Sequence, residues 1–495
     1  MSGGWINDFA KTQGTSPQTK PYTYYTGLFN MNKPNYLGQM SSTFGQNPNT
    51  MSANELGVNA TFASDNNAYV ILRNGIIKVF PLTSSWAPAA SDYTAPAGCT
   101  TDSYKDIWKH VYNSGFESIF YTYQTATTAY VASAPIASIV TPNVSGAVMP
   151  FALTYLNVPH VGVKSVNNQS YVTDKHILRA YDPNANSWSS VNCGIGNTLV
   201  SVADYGNYVA AVGGDGTTSW LFLWTGTSAT VPTYKYEIRD TNVTAVVNEG
   251  GELRVFTYGK NGTTKIKTFT GSSFSEEADW EVPTSLCSSP LHNQVDVWLN
   301  QITWRSYSQV GSTLTSGYIW TYGSPRKNEL QTGAHRVGQV TSTTPLLANT
   351  GGFLKNLYQD SLYMGVYSAG SYFIYNVKAD TSYGSSAPSR LTTGLYRLPT
   401  NSSIERIQFF FSDYLLPTPS SSGSSLTLNL YKDYDTTTNW LGQSIPIGDT
   451  TNTKIYKYPF LQAVPEVDSF YLDIVFTFCT IKKIVVTYSY DDNDL

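Results

Sequence analysis

The 495-residue chain is 41% hydrophobic and 14% aromatic but only 13% charged, a composition that supplies large cores and excludes wholesale disorder. Thirty Lys and Arg against 34 Asp and Glu give a net charge of −4, far from the basic excess that grips nucleic acid by displacing counterions. Length alone predicts two or three folded units, unless a large β-barrel, sandwich or propeller stretches one of them.

Residues 1–60 are rich in Asn, Gln, Thr, Gly and Pro and carry few strand signals. They read as an extended arm that orders against its own propeller or a neighbouring subunit, so that removing Met1 to Ala60 would leave a folded propeller unable to assemble. Asp8, Lys11 and Lys20 fall where a secretion signal needs an apolar run, which predicts synthesis in a cytoplasm. Ser118 to Val163 lacks Asp, Glu, Lys and Arg, but Pro135, Pro142, Pro150 and Pro159 interrupt it, so no spanning helix is expected. It reads either as buried strands or as a surface covered by another subunit.

Residues 61–400 read as short strands bounded by Gly, Asn, Asp or Ser turns, in a chain with 37 Tyr, 21 Phe and 11 Trp. The one candidate helix is Tyr104 to Tyr112, where Tyr104, Trp108 and Tyr112 share a face at helical spacing. An aromatic second strand recurs near Ile76, Thr127, His176, Trp220, Lys265, Gly317 and Tyr372, at separations of 51, 49, 44, 45, 52 and 55 residues. That period fits one four-stranded blade per repeat and predicts a β-propeller of six or seven blades. Residues 401–495 change character. Five longer strands, beginning near Ile404, Leu426, Lys454, Phe470 and Lys483, predict a small antiparallel β-sandwich. The fold class is therefore all-β.

Chemistry-bearing residues do not converge in the sequence. His110, His160, His176, His292 and His335 are never within four residues of one another, which excludes a local HExxH-type metal site. Ordinary hydrogen-bonded histidines are expected, with assembly at a propeller axis as the alternative. No GxSxG elbow occurs. Glu276, Glu277 and Asp279 read as solvated charge in an outer turn before Trp280, although paired carboxylates serve glycoside hydrolysis. The acidic tail Asp491, Asp492 and Asp494 lacks EF-hand spacing, and Gly213 to Gly216 lacks the Gly-Lys-Ser/Thr that completes a P-loop. The scattered Cys99, Cys193, Cys287 and Cys479 predict free, mostly buried thiols. No catalytic residue, metal ligand or cofactor-binding residue is assigned, and no enzyme activity is expected.

Two segments carry a local resemblance. Ala180-Tyr-Asp-Pro-Asn-Ala-Asn-Ser-Trp188 and Tyr208-Val-Ala-Ala-Val-Gly-Gly-Asp-Gly216 resemble the outer turn and the double-glycine strand of kelch blades, and Asp215 to Trp220 resembles a degraded sialidase Asp-box. Glycines at such places let strands approach, while Tyr and Trp fill the wedge between blades. Over most of its length, a low-charge Tyr/Ser/Thr/Asn-rich propeller followed by a small β-domain resembles the tail nozzle and related tail or neck proteins of short-tailed bacteriophages. The resemblance implies a virion structural protein made in the host cytoplasm. Its partners would be other copies in a ring, a tail or neck adaptor or hub, and genomic DNA sliding past without specific binding, with no membrane involved. A carbohydrate-binding receptor or spike is the alternative, and a propeller glycosidase a further one.

Overall fold

The computed structural model of the chain describes residues 2–6, 26–28, 40–41, 45–50, 58–64, 67–72, 74–81, 93, 95–100, 106–111, 117–136, 148–164, 168–183, 185–227, 230–240, 242–259, 262–283, 288–298, 300–310, 313–323, 333–340, 352–358, 361–368, 371–378, 389–393, 395–414, 425–433, 435, 438–440, 443–446, 455–457, 463–477 and 479–490. Two compact units divide it, one comprising 47–317 and 340–376, the other 1–46, 318–339 and 377–495.

Seven antiparallel sheets follow one another along the chain. Among the described residues blade 1 has three strands, Val58–Ser64, Asn67–Leu72 and Ile77–Pro81. Blade 2 runs Ile107–Val111, Glu117–Gln124, Ala129–Pro135 and Val148–Leu153; blade 3 runs Gly162–Lys164, Ser170–Asp174, Ile177–Asp182 and Ser187–Asn192. Blade 4 comprises Thr198–Tyr205, Tyr208–Gly214, Ser219–Trp224 and Tyr234–Ile238, and blade 5 Asn242–Glu249, Glu252–Tyr258, Thr263–Phe269 and Phe274–Pro283. Blade 6 is Val295–Trp298, Gln301–Val310, Thr313–Gly323 and Gly333–Val340. Blade 7 takes Leu354–Tyr358, Ser361–Ser368 and Ser371–Lys378 and is completed by Gly45–Thr50 from the amino-terminal segment. The first strand of each blade packs beside the first strand of the next, and that of blade 7 packs beside that of blade 1. The ring is closed. The chain is a seven-bladed β-propeller, with its last blade sealed by residues from the other end of the sequence.

The seven repeated aromatic segments are all present as strands, but each is the third strand of its blade. The third strand shows the pattern because its side chains meet neighbouring blades on both faces, as the buried run Leu221 to Trp224 does in blade 4. The described residues of the candidate helix Tyr104 to Tyr112 are strand instead: in Ile107–Val111, Trp108 pairs with Phe120 and His110 with Ser118. Trp108 and His110 alternate with Lys109, a period of two that the helical spacing of Tyr104, Trp108 and Tyr112 conceals. Part of the charge-free stretch forms the two middle strands of blade 2, where Ser118 to Gln124 are all buried, while residues 148–163 include exposed positions such as Ala152, Thr154 and Asn157. Glu276, Glu277 and Asp279 lie within the outer strand Phe274–Pro283, so the outer-turn reading is corrected.

The kelch-like segments have concrete packing roles. Tyr181 and Trp188 flank the turn between the last two strands of blade 3, with ring centroids 5.2 Å apart, and Trp188 stacks at 4.6 Å on Phe151 of blade 2. They fill a wedge between blades. Gly213 answers a different need. A Cβ there would lie 2.3 Å from the carbonyl oxygen of Thr198, on the adjacent strand of the same blade, where a bulge shifts the register between Leu199 and Ser201. The crowding is within a blade and involves backbone, which no side-chain rotation relieves. Gly213→Val is therefore expected to destabilise the protein by about 1–3 kcal/mol or more through overpacking, read as a lower urea midpoint.

Apart from the blade 6 residues within 318–339, the second unit is an antiparallel sandwich. Its sheet runs in the order Ser2–Ile6, Cys479–Ser489, Tyr396–Tyr414, Val464–Thr477, Ser389–Thr392, Thr26–Leu28, with Ser425–Lys432 also beside Val464–Thr477. Long strands switch partners: Tyr396–Tyr414 pairs first with Val464–Thr477 and then with Cys479–Ser489, while residues 470–477 pair with Ser425–Lys432. This switching folds the sheet into two layers around Ile407, Phe409, Leu426, Leu428, Ile474, Phe476, Ile484 and Val486. The segment read as an arm supplies strands to this sheet, its Ser2 opposite Tyr488 and its Ile6 opposite Ile484. The Ser-rich loop beyond Pro417 and the acidic tail from Asp491 lie outside the described residues.

Candidate functional site

First strands of blades 2 to 7 converge on a cavity of about 400 Å³ along the propeller axis. Its polar lining consists of Asp106 and Lys109 from blade 2, Asp204 from blade 4, Asn248 from blade 5, His292 and Asp296 from blade 6, and Lys355 and Asn356 from blade 7. Most of these groups are already engaged. Asp106 accepts hydrogen bonds from its own neighbour's amide, Ile107, through Oδ1 at 2.9 Å and from Gly162 of blade 3 through Oδ2 at 2.8 Å. Asp296 repeats the device, with Oδ1 accepting from Val297 at 2.8 Å and Oδ2 from Asn356 of blade 7 at 2.9 Å. A carboxylate at the start of an inner strand thus binds one blade to the next through charge-assisted bonds, each worth about 1.5–3 kcal/mol.

Blades 4 and 5 use a serine for the same purpose. The Ser201 hydroxyl accepts from the Val246 amide at 3.0 Å and lies 2.8 Å from Nδ1 of His292. On its other side, His292 Nε2 lies 3.5 Å from Oδ2 of Asp106. The structure therefore brings together a serine, a histidine and an aspartate that sequence reading did not connect. Their geometry serves cohesion: Ser201 is wholly buried, does not line the cavity, and accepts from the Val246 amide of the next blade. Two further amides complete the ties, Asn248 donating to the Asp204 carbonyl and Asn356 to the Val297 carbonyl.

The other described histidines sit apart from the axis cavity. His110 is buried, its Nδ1 2.7 Å from the Ser170 hydroxyl of blade 3, which also accepts from Trp108 Nε1. Burial, reinforced by the Lys164 charge, pushes its pKa down to about 4. His160 is buried with its ring nitrogens 2.9 and 3.0 Å from the carbonyls of Thr173 and Tyr155; burial lowers its pKa against the opposing pull of those carbonyls and Asp174. His176 packs on Tyr155 at 5.1 Å. The side chain of His335 lies outside the described residues. A histidine whose folded pKa is depressed stabilises the fold fully above its ordinary value of 6.5, and that contribution is lost as pH falls through about 4. The urea midpoint is accordingly expected to drop between those two pH values, with a flatter profile in His110→Gln.

Among the described residues no group of three or more His, Cys, Asp or Glu is placed to hold a metal ion, and no helix is long and apolar enough to cross a membrane. Cys193 and Cys479 are buried free thiols, Cys99 a half-buried one; burial pushes the Cys193 pKa up to about 12. Cys287 lies outside the described residues. Asp215, in the Asp-box-like turn, accepts from the Thr217 and Thr218 amides and the Thr217 hydroxyl. These bonds, the hydroxyl's first, lower its pKa to about 2.

No family model and no curated protein matches the chain. Among solved structures it is similar to a chain in the crystal structure of a mitotic checkpoint complex, at 12% identity over 66% of this chain and 92% of that one, with a TM-score of 0.41. The Dos1 propeller is similar at 10% identity over 70% of this chain and 81% of that one, with a TM-score of 0.34.

Proposed function

We propose that the chain is a structural component of a tailed-phage virion, a tail nozzle or tail-neck protein that surrounds the DNA channel as a ring of copies. The observation that carries this reading is the fastening of both chain ends: Ser2–Ile6 and Cys479–Ser489 are neighbouring antiparallel strands, and Gly45–Thr50 completes blade 7. Strand pairing between segments hundreds of residues apart ties the chain together, as suits a part that works by shape. A charge of −4 suits a wall past which DNA slides, since a basic lining would hold the genome. In this reading the protein works by shape, in contact with further copies and with an adaptor or hub of the tail, and resides in the virion after synthesis in host cytoplasm. Mass spectrometry and electron microscopy of purified particles test it. A fixed number of copies in the tail is expected, and particles that lack the protein would defeat the proposal.

A carbohydrate-binding role is favoured by one observation. Tyr234 on the outer strand of blade 4 is 47% exposed and meets Tyr208 edge to face at 5.8 Å, a corner suited to stacking on a sugar ring. Binding on a glycan array that disappears in Tyr234→Ala would support this second reading.

A further inference from the structure

The axial cavity holds a set of groups that the ties between blades leave over. Asp106, Asp296 and Asn248 are engaged with backbone, Lys109 lies 3.2 Å from Glu117, and His292 is shared between Ser201 and Asp106. Among the described residues, the side chains of Asp204 and Lys355 meet no ion-pair or hydrogen-bond partner, and the buried Oδ1 of Asn356 has no donor. What remains in the cavity lining is one anion and one cation.

These groups do not neutralise each other directly. Asp204 belongs to blade 4 and Lys355 and Asn356 to blade 7, three blades apart in a ring of seven and hence on opposite sides of the axis. An anion in the cavity would match Lys355 and leave the Asp204 charge uncompensated; a cation would do the reverse. Leaving a charge half-desolvated and unmatched is costly. A ligand with its two opposite charges separated by a short spacer matches both. The volume of about 400 Å³ lies within the range of small-molecule sites.

We propose that the propeller axis is a binding site for a small dipolar molecule of the ω-amino acid class, its carboxylate held by Lys355 and its ammonium by Asp204. The site is independent of the virion reading and stands or falls by itself.

Isothermal titration of the full-length protein with glycine, 4-aminobutyrate and 6-aminohexanoate tests it, with butyrate and butylamine as single-charge controls. Saturable binding of at least one of the two longer zwitterions is expected, tighter than that of either control. Lys355→Met and Asp204→Asn are each expected to weaken it by about 10- to 100-fold, the loss of one charge-assisted contact. Thermal melting of both variants shows whether they remain folded; should one not fold, the zwitterion's advantage over the single-charge controls in the unaltered protein decides. Absence of binding at 10 mM, equal binding of a single-charge control, or unchanged affinity in both folded variants would overturn the proposal.

Discussion

Removal of residues 1–57 is expected to abolish cooperative folding, where reading them as an arm leads one to expect an intact propeller that merely fails to assemble. The deletion strips the fourth strand from blade 7 and takes Ser2–Ile6, Thr26–Leu28 and Met40–Ser41 from the terminal sheet. Four strands' backbone groups on the remaining edges lose their partners, and the exposed edges invite association. Net stability of a domain is only about 5–15 kcal/mol, less than such a loss. Thermal unfolding, limited proteolysis and size-exclusion chromatography of the truncated chain check this. A sharp transition within a few degrees of the full-length protein would show that these strands are dispensable.

Asp174→Ala is the single substitution expected to cost most, about 3–5 kcal/mol. Asp174 is wholly buried and accepts from four directions: the Thr154 amide at 2.8 Å, the Tyr155 amide at 3.0 Å, and Arg179 Nε and Nη2 at 2.9 and 2.7 Å. Its removal orphans two amides of the link between blades 2 and 3 and leaves a largely buried guanidinium uncompensated, the circumstance in which breaking an ion pair is severe. Asp174→Asn keeps one acceptor oxygen and is expected to lose less. Urea unfolding of both variants gives the order, and an Asp174→Ala protein within about 1 kcal/mol of the original would show that the network relaxes around the gap.

Much of the architecture was legible because it is periodic. Seven aromatic segments mark seven blades, and four of the five strands expected from Ile404 onward are long strands of the sandwich, the one at Lys454 being only the three residues Ile455–Lys457. Their position within the blade was less legible: an aromatic strand flanked by turns looks alike in second or third place, and only pairing partners distinguish the two. The amino-terminal strands were illegible for a different reason. Segments such as Gly45–Thr50, Gly-Gln-Asn-Pro-Asn-Thr, have little intrinsic strand preference and are recruited by edges that lie hundreds of residues away.

The axis was signalled and overlooked. Asp106-Ile-Trp108 and Asp296-Val-Trp298 are two copies of one tripeptide, and both aspartates make the same pair of bonds. The repeat is visible in the sequence, but its meaning depends on the Gly162 and Asn356 amides, which only blade geometry brings near. The grouping of Asp204 and Lys355 has no local signature at all.

Completion of blade 7 by Gly45–Thr50 also sets an order of events during synthesis. That strand leaves the ribosome early, yet its partner Ser371–Lys378 follows about 320 residues later, roughly 15–65 s at about 5–20 residues per second. Throughout that interval the nascent chain carries both a strand without a mate and a ring without a seam. Its whole propeller becomes a finished object only when the newest blade is laid against one of the oldest segments.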